Sequence, residues 1–377
     1  MTNSRNWFEI LPVLRQRKLL ASQRDGLWIT VGEEKMLNFS SNDYLGLSTH
    51  TEVCAVAKDA IERYGVGSGA SRLVSGDAPL LHTFEQALAA WKGFDACLVV
   101  GSGMLANIGL LQALADRHTH IFSDKLNHAS LVDGARLSGA KVHRYPHLDL
   151  DVLGNMLQKH TAKQRIIVSD GVFSMDGDTA DVQALLNLAE THDALLLIDD
   201  AHGTGVVGKH GKGLLTQAGI VGHSRLLEVG TLGKAFGSYG AYVLGTHEMI
   251  EGLKQRMRTL IYSTALPLSV IAAAQVTLHI MQNTDVVEKL QQNIQYFLSQ
   301  AKGIHLMPST TAIQPMLLGE DEQALLAAQR LRTQGFFVPA IRPPTVPQGQ
   351  SRLRITLSAA HQKQDINALI HALFNLG

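Results

Sequence analysis

Residues 194–203 of the chain are ALLLIDDAHG, and residues 226–234 are LLEVGTLGK. Each stretch is a short apolar run that ends in glycine and ionisable residues. Similar runs occur at residues 96–100, 119–122, 165–169 and 241–244. Because every run has the length of a strand, the six runs predict the strands of one sheet.

Helical patterns separate these runs. Residues 181–191 have apolar residues at helical spacing, and residues 77–92 predict a helix that Asp77 caps and Pro79 begins. Apolar runs that hardly alternate and are separated by helices are typical of a mostly parallel sheet with both faces buried. The sequence therefore predicts an α/β fold.

The length and the change in pattern along the chain predict two domains. A chain of 377 residues accommodates one large α/β domain and a smaller one. From about residue 284 the predicted strands are fewer and turn residues are denser. We therefore expect a large domain at residues 46–280, containing the mostly parallel sheet, and a small α+β domain at residues 281–377.

Composition excludes several classes of function. The 33 Lys and Arg residues balance 33 Asp and Glu residues, so the chain has no overall field that would attract nucleic acid. No apolar run approaches the roughly 20 residues of a membrane helix, and the N-terminus lacks the pattern of a signal peptide. Cys54 and Cys97 form neither a metal motif nor a disulfide framework. We expect a soluble, cytoplasmic protein without a metal site.

Small, polar or ionisable residues follow five of the apolar runs. Ligands of open parallel sheets bind beyond the carboxyl ends of the strands, so these residues are the candidates for a site. The candidate segments are Gly101-Ser102-Gly103-Met104, Asn127-His128-Ala129-Ser130, Ser174-Met175-Asp176-Gly177, Asp199-Asp200-Ala201-His202 and Thr231-Leu232-Gly233-Lys234.

Lys234 and Asp199 together indicate pyridoxal 5′-phosphate. Alone, Lys234 could be a surface residue on a turn, and Asp199 could be a helix cap. Pyridoxal phosphate needs both an amine for its aldehyde and an anion that keeps its ring nitrogen protonated. A helix beginning near Gly103 offers N–H groups to a phosphate, and Thr231 can add a hydroxyl. His128 could lie flat against the cofactor ring, although a lone histidine is more often structural.

Competing motifs lack the context that they require. GVGSGA at residues 65–70 resembles a dinucleotide fingerprint, but it follows a helical pattern at residues 51–64 where the fingerprint needs a strand. No Gly-Lys pair is followed by Ser or Thr, and no G-x-S-x-G motif occurs. His143 and His147 are four residues apart, but Pro146 argues against a helix that presents both to zinc.

Six motifs occur in order along the chain. They are NFSSNDYLGL at 38–47, GVGSGASRLVSG at 65–76, NHAS at 127–130, GVFSMDGD at 171–178, DDAHGTGVVG at 199–208 and TLGK at 231–234. Together they resemble the motifs of the α-oxoamine synthases, which have the type I pyridoxal-phosphate-dependent transferase fold. That family condenses an amino acid with an acyl thioester and releases CO₂.

The segment AIRPPTVPQGQSRLRITLSAAH at residues 340–361 resembles one branch of that family. Members of this branch join L-alanine to a pimeloyl thioester in biotin biosynthesis. The alternatives within the family are the 2-amino-3-ketobutyrate CoA ligases, which use glycine and acetyl-CoA, and the serine palmitoyltransferases. The thioester could be carried by coenzyme A or by an acyl carrier protein.

The resemblance implies a role for each matching position at the cofactor. Lys234 would bind the cofactor and remove the Cα proton of the amino acid, Asp199 would pair with the ring nitrogen, and His128 would stack on the ring. The remaining implied contacts are those of Ser174 and His202 near the phenolic oxygen, and of Gly103, Met104 and Thr231 at the phosphate.

The resemblance also implies substrate contacts. Arg342 would hold the substrate carboxylate, with Asn42 nearby and Thr345 in the same segment as Arg342. Arg15 would contact the acyl substrate, with Arg17 as its rival. Since Arg15 and Asn42 precede the large domain while Arg342 follows it, we expect the segment 1–45 to pack with the small domain.

The stretch Tyr262-Ser263-Thr264 resembles one that reaches the phosphate of the neighbouring subunit. It implies a homodimer with shared active sites, in which Ser263 and Thr264 contact the cofactor. Two other classes stay open: a transaminase or aldolase of the same fold, and a non-catalytic oligomeric scaffold. The presence of Lys234, Asp199 and His128 argues against a scaffold.

Overall fold

A computed structural model describes residues 19–376 of the chain. The strands in this range are β1 (Ser22–Asp25), β2 (Trp28–Val31), β3 (Glu34–Asn38), β4 (Ala96–Val100), β5 (Thr119–Asp124), β6 (Lys141–Tyr145), β7 (Gln164–Asp170), β8 (Leu195–Asp199), β9 (Leu226–Thr231), β10 (Ala241–Gly245), β11 (Ile313–Gly319), β12 (Phe336–Phe337), β13 (Ala340–Ile341) and β14 (Ser351–Thr356). The helices are α1 (Thr51–Tyr64), α2 (Pro79–Lys92), α3 (Gly103–Leu114), α4 (Ala129–Leu137), α5 (Leu150–Lys159), α6 (Val182–Thr191), α7 (Leu214–Gln217), α8 (His247–Arg256), α9 (Arg258–Ile261), α10 (Leu268–Asn283), α11 (Val286–Gln300), α12 (Asp321–Thr333) and α13 (Lys363–Phe374).

The central sheet has seven strands in the order β4-β10-β9-β8-β7-β5-β6. The pairs β9/β8, β8/β7, β7/β5 and β5/β6 are parallel. Strand β10 is antiparallel to both β9 and β4, because only a short turn joins β9 to β10 and a parallel pair needs a long crossover. Strands β4, β5, β7, β8 and β9 therefore all end at the same edge. The predicted α/β fold with a mostly parallel sheet is confirmed.

Both faces of this sheet are buried. Successive side chains of a strand point to opposite faces, and Val99 and Val100 accordingly belong to two different apolar clusters. Phe122 and Ile121 also belong to different clusters, one on each face of the sheet. Burial on both faces explains why the apolar runs scarcely alternate.

Strand boundaries extend beyond most of the apolar runs. Strand β4 matches its run, but β7 ends at Asp170 and β8 at Asp199, one residue beyond the apolar stretch. These two acidic residues still pair with each other in the backbone ladder. The predicted cap of α2 was wrong: Ala78 occupies the cap position, because the Asp77 carboxylate is held by Arg72 at 2.7 Å and by His82 at 2.6 Å.

Two smaller sheets lie outside the central one, in the orders β1-β2-β3-β12 and β11-β14-β13. Strand β3 pairs in parallel with β12, and the Phe39 carbonyl accepts a hydrogen bond from the Thr356 amide at 2.8 Å. The segment that precedes the central sheet in the sequence, at β3 and Phe39, therefore contacts the segment that follows it, at β12 and β14. The division of the chain near residues 45 and 280 stays a prediction, and residues 1–18 lie outside the described range.

Candidate active site

A cavity of about 200 Å³ lies at the edge of the central sheet where β4, β5, β7, β8 and β9 end. Its lining comes from all five of the segments that follow those strands. The lining residues are Gly103, Met104, Asn107, His128, Ser130, Asp170, Val172, Ser174, Asp199, Ala201, His202, Thr231 and Lys234. The structure thus brings eight of the predicted site residues into one space.

Lys234 lies in the turn between β9 and β10. Thr231, the last residue of β9, shapes this turn: its hydroxyl donates to the Gly240 carbonyl at 3.1 Å and accepts from the Gly233 amide at 3.1 Å. Desolvation lowers the pKa of Lys234 to about 8, although the carboxylates of Asp199 and Asp170 act in the opposite direction. About a tenth of this lysine is therefore the neutral, nucleophilic amine at pH 7, far more than an ordinary lysine would have.

Asp199 is the last residue of β8 and is held from two sides. One carboxylate oxygen accepts from the Asn107 side chain at 2.6 Å, and the other accepts from the Ala201 amide at 3.0 Å. Asn107, on α3, is fully buried and also donates to the Ser130 hydroxyl at 2.8 Å. These bonds fix the orientation of the Asp199 carboxylate at the cavity wall.

Asp170, at the end of β7, is a second buried carboxyl group in the cavity. Burial and the neighbouring charge of Asp199 raise the pKa of Asp170 well above its usual range. One of its oxygens accepts from the His128 amide at 3.0 Å. The sequence pattern did not separate Asp170 from other strand-end residues, although its position after an apolar run was a signal.

His128 begins α4, and its Nδ1 atom is 2.7 Å from the Ser130 hydroxyl. Desolvation, together with the charge of Lys234, lowers the pKa of His128. His202 is 2.6 Å from the Tyr44 hydroxyl through its Nδ1 atom. Burial lowers the pKa of His202 well below its usual range, so this ring is neutral at physiological pH.

Arg354 is a site residue that the sequence analysis missed. It lies on β14, is 5% exposed, and donates from Nε to the Ser174 carbonyl at 2.6 Å. Its Nη2 atom donates to the Asn42 side chain at 3.2 Å. The charge of Arg354 also contributes to the lowered pKa values of His202 and Lys234, which places this arginine beside the cavity.

The helix α3 begins at the cavity with Gly103 and Met104. Ser102 caps it by accepting from the Leu105 amide at 3.3 Å. The amides of Gly103 and Met104 lie in the first turn, where a helix attracts anions. No atom lies within 4 Å of a Cβ placed on Gly103, so there is room for a phosphate beside this turn.

Other predicted residues do not line the cavity. Thr264 is paired through a β-bridge with Ser71, and Ser263 lies next to it near Gly101. Arg342 follows β13, and its carbonyl accepts from the Thr345 amide at 3.0 Å. Arg15, together with its rival Arg17, lies outside the described residues.

These residues fit pyridoxal 5′-phosphate. The cavity joins a desolvated lysine amine, a fixed Asp199 carboxylate and the start of α3, which match an aldehyde, a protonated ring nitrogen and a phosphate. In the described part of the chain, the side-chain oxygens Oδ1 of Asn107 and Oδ1 of Asp170 are buried without a hydrogen-bond partner, and both residues line the cavity. Buried polar atoms of this kind indicate a polar ligand.

Comparisons with known proteins identify the family of the chain. A family model described as aminotransferase class I and II matches residues 34–373. The 8-amino-7-oxononanoate synthase of Saccharophagus degradans is 46% identical over 363 residues, which cover 95% of this chain and 91% of that protein. The 8-amino-7-oxononanoate synthase 1 of a Polaromonas species is 44% identical, with 100% of this chain and 97% of that protein covered.

The chain belongs to the 8-amino-7-oxononanoate synthases. This is a family of pyridoxal-phosphate-dependent acyltransferases, so the predicted family and enzyme class are confirmed. Three residues that the sequence analysis placed at the cofactor, Lys234, Asp199 and His128, line one cavity in this chain. Their individual roles stay predictions.

Solved structures of the same fold include enzymes of two specificities. A serine palmitoyltransferase from S. paucimobilis with bound PLP matches with a TM-score of 0.90 at 27% identity, covering 95% of this chain and 92% of that one. The 8-amino-7-oxononanoate synthase of Francisella tularensis matches with a TM-score of 0.79 at 30% identity, covering 90% of this chain and 97% of that one. The type I transferase fold is confirmed. Enzymes of both specificities share this backbone, so the family assignment rests on sequence identity.

Proposed function

We propose that this enzyme condenses L-alanine with a pimeloyl thioester and releases CO₂ and a free thiol, forming 8-amino-7-oxononanoate for biotin biosynthesis. The identity of 46% across 95% of the chain carries this proposal. The cavity supports it, because a desolvated lysine amine and a fixed carboxylate are what pyridoxal-phosphate chemistry requires.

Six residues divide the work at the cofactor. Pyridoxal phosphate, when bound, supplies an aldehyde for amines and a cationic ring that takes up the electron pair left on the substrate Cα. Lys234 would hold the aldehyde and, once the amine of alanine has displaced it, its own free amine, with a pKa of about 8, would accept and return the Cα proton. Asp199 would keep the proton on the ring nitrogen, and His128 would cover the ring. The amide groups of Gly103 and Met104, with the Thr231 hydroxyl, would hold the phosphate.

Neutral His202 completes the environment of the cofactor. Because its Nδ1 atom faces the Tyr44 hydroxyl, the other ring nitrogen is oriented by that contact. His202 and Ser174 line the same cavity, and we assign both to the phenolic oxygen of the cofactor.

The substrate carboxylate is held by arginine and Asn42. Arg342 remains the arginine that the resemblance implies. The geometry adds Arg354, whose three side-chain hydrogen bonds to Ser174, Asn42 and Thr356 leave capacity among its five N–H donors for a carboxylate. A bidentate guanidinium contact would fix the plane of the carboxylate that leaves as CO₂.

A homodimer with shared active sites completes the proposal. The Ala265 amide donates to the Ala70 carbonyl at 2.9 Å, so the segment containing Tyr262 lies beside the glycine-rich segment. Exposed apolar side chains gather along these two segments and at the end of α1, which precedes the glycine-rich segment; they are Ile61, Tyr64, Val66, Leu73, Val74 and Tyr262. A surface of this kind is typical of an interface between subunits. Ser263 and Thr264 would then face the partner's phosphate site.

The acyl carrier is either coenzyme A or an acyl carrier protein, and the enzyme acts in the cytoplasm. Within residues 19–376, no helix has the length and apolar character needed to cross a bilayer. Arg15, and Thr345 in the segment of Arg342, are assigned to the substrates on the resemblance alone.

The test is a matrix of substrates. Purified enzyme with cofactor is given alanine, glycine or serine, each with pimeloyl, acetyl, succinyl or palmitoyl thioester, while CO₂ and aminoketone are measured. Alanine with the pimeloyl thioester should give the highest kcat/KM, and Lys234→Ala should give no product. Preference for glycine with acetyl-CoA, or amino-group transfer without any thioester, would contradict the proposal.

A further inference from the structure

His147 lies between two carboxylates outside the cavity. It belongs to the segment between β6 and α5. Its Nδ1 atom is 3.0 Å from an oxygen of Asp124, and its Nε2 atom is 2.9 Å from an oxygen of Asp178. The ring also packs edge-on against Phe173, with ring centroids 4.4 Å apart. His147 is thus held from three sides by side chains of other segments.

Asp124 organises the loop that carries His128. It is the last residue of β5 and is fully buried. Besides contacting His147, it accepts hydrogen bonds from the amides of Leu126 at 2.8 Å and Leu148 at 2.9 Å. The loop then continues into His128, so the conformation of this loop depends on the Asp124 carboxylate.

Asp178 organises the loop that carries Ser174. Its carbonyl accepts from the Phe173 amide at 3.0 Å, which closes the loop after β7. Within this loop, the Ser174 carbonyl accepts from Arg354, and the Asp176 carboxylate accepts from Arg352 at 2.6 Å. The loop therefore connects the cavity with the sheet that contains β14.

We propose that His147 is a positioning residue of the active site. Its imidazole ties the loop after β5 to the loop after β7 through Asp124 and Asp178, and so holds His128 and Ser174 at the cavity. His147 does not line the cavity itself. Its effect on the reaction passes through the two loops and through the arginine that the second loop holds.

The geometry requires a particular protonation state. Carboxylates only accept hydrogen bonds, and a neutral imidazole has a single N–H donor. Two carboxylate contacts at about 3 Å are therefore best satisfied by the imidazolium form, with both nitrogens donating. The hydrogen bonds and charges of Asp124 and Asp178 raise the pKa of His147 to about 10 against the effect of its burial.

Other ionisable groups act on this cluster through Asp124. They are Tyr145 and Asp170, whose pKa values Asp124 raises. Because the folded-state pKa of His147 is raised, its contribution to stability is fully present below about pH 6.5 and is lost as the pH rises through about 10. His147 should therefore stay charged throughout the physiological pH range. We call His147 with its two partners, Asp124 and Asp178, the imidazolium clamp.

The first measurement concerns the charge. The holoenzyme is labelled with ¹³C in its histidine rings, and the His147 signal is assigned from the spectrum of His147→Gln. The signal should not titrate below about pH 9, as the pKa of about 10 requires. A midpoint near 6.5, the ordinary value for histidine, would overturn the imidazolium clamp.

The second measurement separates positioning from a purely structural role. In His147→Gln, kcat/KM for alanine should fall about tenfold per cofactor-loaded site, and the cofactor dissociation constant should rise. His143→Gln is the matched control, because His143 lies on the neighbouring strand β6 and contacts His120 and His160 instead of the two loops. A kcat/KM equal to wild type in His147→Gln would refute the positioning role.

Asp178→Asn replaces His147→Gln as the test variant if His147→Gln does not fold. The Asp178 side chain is 29% exposed, so the protein should tolerate this substitution. It should lower the titration midpoint of His147 and reduce kcat/KM several-fold, and an unchanged midpoint would contradict the clamp. The kinetic arm rests on the proposed condensation reaction, whereas the titration and the cofactor affinity do not. Failure of the reaction assignment and failure of the clamp are thus distinguishable.

Discussion

The ionisable side chains at the cavity influence one another's protonation. Asp199 and Asp170 lie at adjacent strand ends, and two neighbouring carboxylates do not both ionise easily. Asp170 has the raised pKa, while Asp199 is held by Asn107 and the Ala201 amide. Of the two carboxyl groups, we therefore propose that of Asp199, whose oxygens are both held, as the partner of the cofactor ring nitrogen.

Kinetic measurements can decide whether Arg342 or Arg354 binds the substrate carboxylate. Arg354→Lys should raise KM for alanine about tenfold with little change in cofactor affinity, because lysine lacks the planar fork that holds a carboxylate in two places. The measurement is alanine saturation followed by product formation, with cofactor affinity determined separately. Arg342→Ala is tested in parallel.

Each outcome identifies the arginine that binds the substrate carboxylate. A KM increase in Arg354→Lys alone places the carboxylate on β14, and an increase in Arg342→Ala alone supports the residue implied by the resemblance. If neither variant changes KM for alanine, both assignments are wrong.

Elements that follow from local pattern were predictable, and contacts across long sequence separations were not. Lys234 and Asp199 follow apolar runs, so their strand-end positions could be derived from the sequence. Arg352 and Arg354 alternate with apolar residues on β14, a pattern that is typical of a strand with one face in solvent. Both arginines are instead buried against the loop after β7, about 180 residues earlier in the chain.

Strand β10 was predicted, but its antiparallel direction was not, and the contacts of Asp77 were also not predicted. Hydrophobic pattern predicts that a strand exists but carries no information on its direction. Asp77 precedes a helix and has the residue type of a cap, yet Arg72 is close enough to take its carboxylate. His147 had no visible role in the sequence, because Asp124 and Asp178 lie 23 and 31 residues away.

The loop after β7 approaches the C-terminal sheet closely at Gly177. This residue has φ of +72°, and a Cβ placed on it would lie 2.4 Å from the Ile313 carbonyl oxygen. Hydroxyl groups of Ser309 and Thr311 both donate to the Gly177 carbonyl, at 2.9 and 3.0 Å. The absence of a side chain at Gly177 therefore permits the contact between the two parts of the molecule.

Gly177→Ala should lower the free energy of unfolding by about 2 kcal/mol or more, since it adds a steric clash to an unfavourable backbone conformation. Gly139→Ala is the control, because Gly139 has a similar φ of +75° but no atom within 4 Å of a Cβ. Urea denaturation measures both variants. Equal losses in the two would show that the backbone angle alone accounts for the effect, and that the close approach at Gly177 costs nothing.

Across the whole molecule, a buried charge cluster joins α2 to the centre of the large sheet. Lys92, at the end of α2, is fully buried and lies 2.5 Å from Glu228 of β9 and 3.7 Å from Asp200. Its amine also donates to the Thr204 hydroxyl at 3.1 Å and to the Lys212 carbonyl at 2.6 Å. Asp200 directly follows Asp199, so this cluster lies behind the candidate active site.

Removal of the single cation should destabilise the protein strongly. Lys92→Met leaves Glu228 and Asp200 buried without their partner, and breaking a buried ion pair in this way costs about 3–5 kcal/mol. Urea unfolding of the cofactor-free protein gives this quantity without the contribution of ligand binding. The double variant Lys92→Met/Glu228→Met should recover part of the loss, because it removes one of the uncompensated carboxyl groups. If the single variant loses less than about 1 kcal/mol, the cluster does not hold α2 to the sheet.

The pH dependence of that loss gives a second check. Burial raises the pKa of Glu228, whereas Lys92 acts to lower it. In Lys92→Met that opposing charge is absent, so the folded-state pKa of Glu228 rises further. A group with a raised folded-state pKa favours the folded state at low pH and loses this contribution as the pH increases. Because the folded-state pKa of Glu228 in wild type is already about 8, the two proteins differ in the ionisation of Glu228 only near and above that pH. The destabilisation of Lys92→Met relative to wild type should therefore be smaller at about pH 6 than at about pH 9.5, and the double variant should show a weaker dependence. A loss that is independent of pH would mean that Glu228 is not ionised through its contact with Lys92.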